Sequence, residues 1–296
     1  MRLVYTENLH ALALPTAHKF PTGKYDALFR RLASEFPELV TAGARAAWHD
    51  VTLVHAPEYV ASVRDGTLST TAVRRLGFPW SEALVTRSLR SVGGTLAALS
   101  WAMSLGAAGH IAGGTHHAFR DRGEGFCVFN DLAVAIAVAR RDHDVRRVAV
   151  VDLDVHQGNG TAAIFADDPD VFTLSLHAAK NYPFHKEESS LDVPLADACD
   201  DATYVRALDV ALEEVRAHRP ELVLYQAGVD ALAGDRLGRM RLTHAGLASR
   251  DARVFALARA LRVPIVVTLG GGYNRSIDAS VEAHANVYRE LVRAFA

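Results

Sequence analysis

The chain has 296 residues, half of them hydrophobic, and a formal net charge of −2 from 32 basic and 34 acidic side chains. That balance gives no electrostatic reason to expect a nucleic-acid partner or an anionic membrane surface. The length fits one α/β unit, and two cysteines, Cys127 and Cys199, are too few for a disulfide scaffold and suit a reducing, cytoplasmic setting.

In chain order, the opening residues MRLVYTENLH lack the charged-then-apolar pattern of a signal peptide, and Leu3–Thr6 reads as a strand. Ser81–Leu105 reads as a long helix with Ser81 as N-cap and Glu82 in its first turn. Ser91–Phe119 contains no Asp, Glu, Lys or Arg. Its glycines and histidines argue against a membrane span and for a buried helix followed by a strand and loop. Asn130–Asp142 repeats apolar residues on one helical face. Arg147–Leu153 and Val171–Leu176 are short apolar strands, Asp201–His218 is a helix ending before Pro220, and Glu221–Gln226 is again a strand. Thr243–Leu261 (helix), Val263–Leu269 (strand) and Ser276–Phe295 (helix) complete the pattern. No internal repeat, low-complexity tract or linker divides the chain. Near-continuous apolar strands alternating with helices predict a single α/β domain over 1–296, with a largely parallel central sheet flanked by helices.

Reactive residues follow the strands. Asp152, Asp154 and His156 come after Val148–Val151, His177 after Val171–Leu176, Asp230 after Leu222–Tyr225, and Gly270–Tyr273 after Ile265–Leu269. Open α/β sheets build their ligand sites at such carboxyl ends. In the extended segment Asp152-Leu153-Asp154-Val155-His156, residues two apart point to one side, so Asp154 and His156 can face a common point. Taken alone, D-x-H is more often a cap and a loop histidine; the surrounding glycines and the other strand ends reverse that preference. A catalytic zinc takes three protein ligands and keeps an open position, and Asp230 is the best third ligand. Two Asp and one His form a harder set than zinc usually receives, so ferrous iron or cobalt also fits.

Gly113-Gly114-Thr115-His116-His117 places adjacent histidines after two glycines that permit a tight backbone. Such histidines can be further ligands, acid–base groups or surface residues. The triple glycine before Tyr273 has neither the spacing nor the lysine of a phosphate loop. It can instead deliver a phenol donor to a developing oxyanion. Cys127, between Phe126 and Val128, reads as a buried structural thiol rather than a nucleophile.

The blocks GGTHHAFRDRGEGFCVFND, VAVVDLDVHQGNG, VFTLSLH, YQAGVDALAGDRLG and TLGGGYN resemble the zinc-dependent histone deacetylase family, which shares its fold with arginases. DLDVHQGNG and AGVDALAGDRLG look most like class IV members and their bacterial relatives. The resemblance implies that Asp154, His156 and Asp230 bind zinc and that His117 is general base and then general acid. It makes His116, partnered by Asp152, an electrostatic element, and Tyr273 the oxyanion donor. Phe126, Tyr182 and Leu237 match walls of an acyl-lysine tunnel, with Gly125, Gly271 and Gly272 as further substrate contacts. A structural potassium would be held by Asp152, Ser175 and the backbone oxygens of Asp154, His156 and Leu176. Two departures stand out. Asn159 replaces an Asp found behind the second histidine in some members, leaving His117 easier to deprotonate. The rim aspartate that clamps substrate backbone in class I enzymes has no clear match.

The expected function is therefore metal-dependent removal of acetyl or longer fatty acyl groups from lysine in a protein or peptide. The same machinery acting on an acetylated polyamine or another small acylated amine is the nearest alternative. A non-catalytic acyl-lysine binding module is a distant one, because metal ligands, histidines and tyrosine are all present.

Overall fold

The four strands Ala107–His110, Val148–Asp152, Leu222–Gln226 and Ile265–Thr268 are buried from end to end, which commits them to the middle of a layered structure. The computed structural model describes residues 1–7, 9, 12–15 and 18–296. Its strands are β1 (Arg2–Tyr5), β2 (Val40–Ala42), β3 (Ala107–His110), β4 (Val148–Asp152), β5 (Val171–Ala178), β6 (Leu191–Leu195), β7 (Leu222–Gln226) and β8 (Ile265–Thr268). All eight form one sheet in the order β2-β1-β3-β8-β7-β4-β5-β6. Every pairing in it is parallel.

The helices are α1 (Lys24–Glu35), α2 (Trp48–Val51), α3 (Pro57–Asp65), α4 (Thr70–Leu76), α5 (Glu82–Leu105), α6 (Asp131–His143), α7 (Asn159–Ile164), α8 (Asp201–His218), α9 (His244–Leu261) and α10 (Ile277–Phe295). They flank the sheet in two packed groups: α8, α9, α10 and α1 in one, and α5 and α6 with α2 and α3 in the other. None of the described helices is long and apolar enough to cross a membrane. The uncharged stretch resolves into the second half of α5 and β3, as its glycines imply.

Capping chemistry places the helix starts. The hydroxyl of Ser81 accepts from Leu84 N–H at 3.1 Å, the Asn130 side chain accepts from Ala133 N–H at 3.0 Å, and Thr243 accepts from Gly246 N–H at 3.0 Å. The strongly periodic segments match the sequence expectation to within two residues at each end. The elements the sequence reading omits are β2, β6, α1 to α4 and α7. β2 and β6 are the sheet's edges, and β6 carries Pro194, which only an edge strand tolerates. The short helices α2, α4 and α7 give too few turns for a periodic signal.

What positions the site is the order of the four central strands. β3, β8, β7 and β4 are consecutive in the sheet although they are far apart in the chain. Their carboxyl ends carry Gly113–His117, Gly270–Tyr273, Asp230 and Asp152–His156 respectively.

Candidate active site

Just past β4 the chain bends instead of running on extended, and His156 N–H donates to Asp154 Oδ1 at 3.0 Å, which holds the two residues together; Asp230 arrives from beyond the end of neighbouring β7. One ligand atom from each of Asp154, His156 and Asp230 lies within 4.8 Å of the others, and all three residues are buried. The Nδ1 atom of His156 stands 2.9 Å from Asp154 Oδ1 and 3.1 Å from Asp230 Oδ2. The other carboxylate oxygens are held by the protein. Gly271 N–H and Gln226 Nε2 donate to Asp154 Oδ2 at 2.7 and 3.1 Å, and Val155 N–H donates to Asp230 Oδ1 at 2.9 Å.

This donor set fits a divalent cation. Asp230 Oδ2 is buried yet accepts no hydrogen bond of good geometry, a costly state for an anionic oxygen. Burial first, and the facing Asp154 charge second, push the Asp230 carboxyl up to about 7. His156 is driven the other way, up to about 10, where the two carboxylates outweigh burial. Both shifts mark a pocket short of positive charge, and two carboxylates with one imidazole nitrogen suit zinc, iron or cobalt.

Two imidazoles flank the carboxylates. The rings of His116 and His117 lie 4.0 Å apart between centroids. His116 Nδ1 donates to Asp152 Oδ2 at 2.6 Å, and His117 Nδ1 donates to Asn159 Oδ1 at 2.7 Å. Burial opposes charge on both. Asp152 and Asp154 overcome it at His116 and raise its pKa above 6.5, whereas His117 is held well below 6.5 by burial and by the charges of His116 and His156. Adjacent groups pushed apart in this way can divide acid and base roles between them.

The remaining expected residues are distributed as follows. Phe126, Tyr182, Leu237, Gly125, Gly271 and Tyr273 all line one cavity of about 580 Å³ together with the histidines and the three metal-ligand candidates. Tyr182 packs edge-on to His117 at 5.1 Å. Burial, with Tyr25, Asp154 and Asp230 nearby, lifts the Tyr273 phenol well above 10, so it remains a proton donor at neutral pH. Phe126 has φ 66°, a conformation that costs an aromatic residue roughly 1–3 kcal/mol and that packing must hold. Backbone bonds from Gly125 N–H to Arg75 O and from Phe126 N–H to Leu76 O hold it against the end of α4.

Of the glycines after β8, Gly270 and Gly271 line the cavity and Gly272 stands outside that lining. A Cβ on Gly272 would meet His284 and Val229, because the loop turns that residue toward α10. For the potassium set, Asp152 and Ser175 are paired across β4 and β5. Their polar atoms already have protein partners: Ser175 Oγ meets His177 Nδ1 at 3.0 Å, and Asp152 serves His116 and the Asp154 N–H. Cys127 is buried at the cavity wall, and burial pushes its thiol far up.

Three contributors were not singled out from sequence. Glu124 Oε1 accepts from Asn159 Nδ2 at 3.1 Å and from the Tyr182 hydroxyl. Gln226, the last residue of β7, supports Asp154. Lys24 is 1% exposed, donates to Gly270 O at 3.1 Å and sits 5.4 Å from the Tyr273 ring centroid. A lysine among apolar helix positions was the available signal for Lys24. Nothing local marks Glu124, because its partners are 35 and 58 residues away.

Comparison with known proteins agrees with this arrangement. Residues 18–288 match the histone deacetylase domain model. The chain is 42% identical over 282 residues to an uncharacterised protein of Picosynechococcus, covering 93% of each. It is 34% identical over 279 residues to histone deacetylase 2 of Arabidopsis thaliana, covering 90% of this chain and 72% of the relative. An HDAC homologue crystallised with SAHA superposes with a TM-score of 0.85 at 25% identity, over 98% of this chain and 83% of the other. With its parallel sheet, buried Asp-His-Asp group and paired histidines, this chain belongs to the histone deacetylase family.

Proposed function

We propose that the protein removes acetyl or longer fatty acyl groups from lysine side chains, using zinc held by Asp154, His156 and Asp230. The observation that carries this reading is the convergence of those three buried groups beside two histidines of opposite proton affinity. A cation in that position supplies Lewis-acid polarisation of the acyl carbonyl and lowers the pKa of the attacking water.

The protein's own groups perform the remaining steps. His117 donates its Nδ1 proton to Asn159, which leaves Nε2 with a lone pair to take a proton from the water. The same nitrogen then returns the proton to the departing lysine amine. Tyr273 donates its hydroxyl hydrogen to the oxygen that becomes negative in the tetrahedral intermediate. His116, charged against Asp152, adds a fixed positive field. Phe126, Tyr182 and Leu237 exclude water around the acyl-lysine stem. A structural potassium near Asp152 and Ser175 and a cytoplasmic location complete the reading; the two free cysteines support the second.

The test is hydrolysis of acetyl-, octanoyl- and myristoyl-lysine peptides by protein stripped with chelator and reloaded with zinc, iron or cobalt. Recovery of turnover with one of these metals is the expected result, together with its loss in Asp154→Ala at unchanged circular dichroism. Full activity in the stripped protein, or in folded Asp154→Ala, would end the metal-hydrolase reading.

A further inference from the structure

The walls of the cavity are apolar and aromatic, but its exposed lining has one sign of charge. Lys19, Arg74, Arg75, Lys180, Arg236 and Arg239 all line the opening and are exposed. The carboxylates that line the cavity are Asp154 and Asp230, both buried and turned toward each other. Arg239 is paired with Asp197 at 2.7 Å. Arg236 is fixed by two backbone carbonyls, Tyr273 O and Lys19 O, which orient the guanidinium without neutralising it. Lys19, Arg74, Arg75 and Lys180 form no ion pair among the described residues.

Arg74 and Arg75 lie in the last turn of α4, where the backbone oxygens of Arg75 and Leu76 accept the backbone bonds of the strained Gly125–Phe126 wall. Arg75 is close enough to Tyr182 for its charge to act on that phenol. The backbone that carries these two arginines is therefore tied to the cavity wall. A chain of net charge −2 concentrates positive potential at one opening, and low-dielectric walls focus such a field on whatever approaches.

We infer that the opening selects acyl-lysines flanked by carboxylates, that is, an acidic polypeptide segment presenting its modified lysine to the cavity. The inference rests on the acyl-lysine reading above and sharpens it. It disfavours acylated polyamines and lysine-rich tails, whose remaining amines meet like charge at the rim. A nucleic acid is the less favoured polyanion: the chain has no excess of positive charge to extend a phosphate track beyond the opening.

The experiment compares kcat/KM of the zinc-loaded protein on acetyl-lysine peptides that differ only in having acidic, neutral or basic flanks. It is run at about 0.02 and about 0.5 M salt, since screening shortens rim forces to a few ångströms in the second case. The expected result is an acidic-over-basic ratio of about tenfold or more at low salt that shrinks severalfold at high salt. In the combined variant Arg74→Glu, Arg75→Glu, Lys180→Glu the ratio should move at least about tenfold toward the basic peptide. Reading it within one protein cancels any general loss of activity. A wild-type ratio at or below one, or a ratio the variant leaves unchanged, overturns the inference. So does faster turnover of free Nε-acetyl-lysine than of the acidic peptide, which would make the amino acid's own carboxylate the recognised group. Tighter binding of a single-stranded oligonucleotide than of the acidic peptide overturns it as well. If not even the neutral peptide is hydrolysed, the acyl-lysine reading fails separately, and fluorescence anisotropy with the acidic and basic peptides then decides the charge preference by the same ratio.

Discussion

Asn159 can present either an acceptor or a donor to His117 Nδ1, and the contact made by its other end decides which. A carboxylate only accepts, so Glu124 Oε1 at 3.1 Å obliges Asn159 Nδ2 to face it and turns Asn159 Oδ1 toward His117. His117 must then carry its proton on Nδ1, leaving Nε2 basic. Glu124→Ala removes that obligation and the anchor of Tyr182. It should lower kcat on the order of 10–100-fold, the usual cost of losing an outer partner, and displace the limb of the pH–rate profile that reports the base. Glu124→Gln, which keeps an acceptor oxygen, should restore most of both. Parallel losses of melting temperature with an unshifted profile in the two variants would reduce Glu124 to a packing residue. Tyr273→Phe removes one oxygen from the cavity lining. Turnover should fall by about 10²–10³ while substrate affinity and metal content hold, measured by single-turnover kinetics beside metal analysis. Near-normal turnover would take the phenol out of the chemistry.

Among the elements, the loop after β8 most directly couples backbone to site. Lys24 on α1 ties it down at Gly270 O, and Gly271 N–H donates to Asp154. A Cβ on Gly271 would lie 1.8 Å from Asp230 Oδ2 and 2.8 Å from Asp154 Oδ2. Gly271→Ala must therefore push the two carboxylates or the loop out of place. The expected outcome is a folded protein with reduced metal content and little activity, checked by metal analysis and circular dichroism. Normal metal occupancy would mean the loop has slack that these distances deny. α5 is held at its start by the Ser81 cap, so Ser81→Ala should cost about 1 kcal/mol of stability. Chemical denaturation would measure that loss, and catalysis should be spared because the cap is outside the cavity.

At the scale of the whole molecule, buried neutral histidines tie stability to pH. His55 donates from Nδ1 to Phe119 O at 2.9 Å and accepts Asn130 N–H at Nε2 at 2.9 Å, so the fold needs its neutral form. Burial lowers its pKa to about 4, and burial lowers His110 to about 4 as well. Since these folded values lie below the unfolded ~6.5, the stabilisation is complete above pH ~6.5 and is lost as pH falls toward 4. Each site can account for a loss on the order of 3 kcal/mol across that window. Urea titrations between pH 7.5 and 4.5, in chelator so that metal release does not contribute, should show the decline, and His55→Gln should show a shallower one. Unchanged stability across the window would mean that the histidines protonate without breaking their bonds. The sequence by itself determined the α/β class, the Asp154-His156 pair, the His116-His117 pair and the arrival of Tyr273 on a glycine loop. Local periodicity and motif spacing are properties of neighbouring residues, and they survive without coordinates. Only the tertiary structure decided that β8 enters between β3 and β7, bringing four distant strand ends to one centre. It alone turned Gly272 away from the cavity, set Glu124 behind Asn159 and gathered six cations at the opening. Those facts depend on which long-range pairings win, because contacts across tens to hundreds of residues leave no periodic trace in the chain.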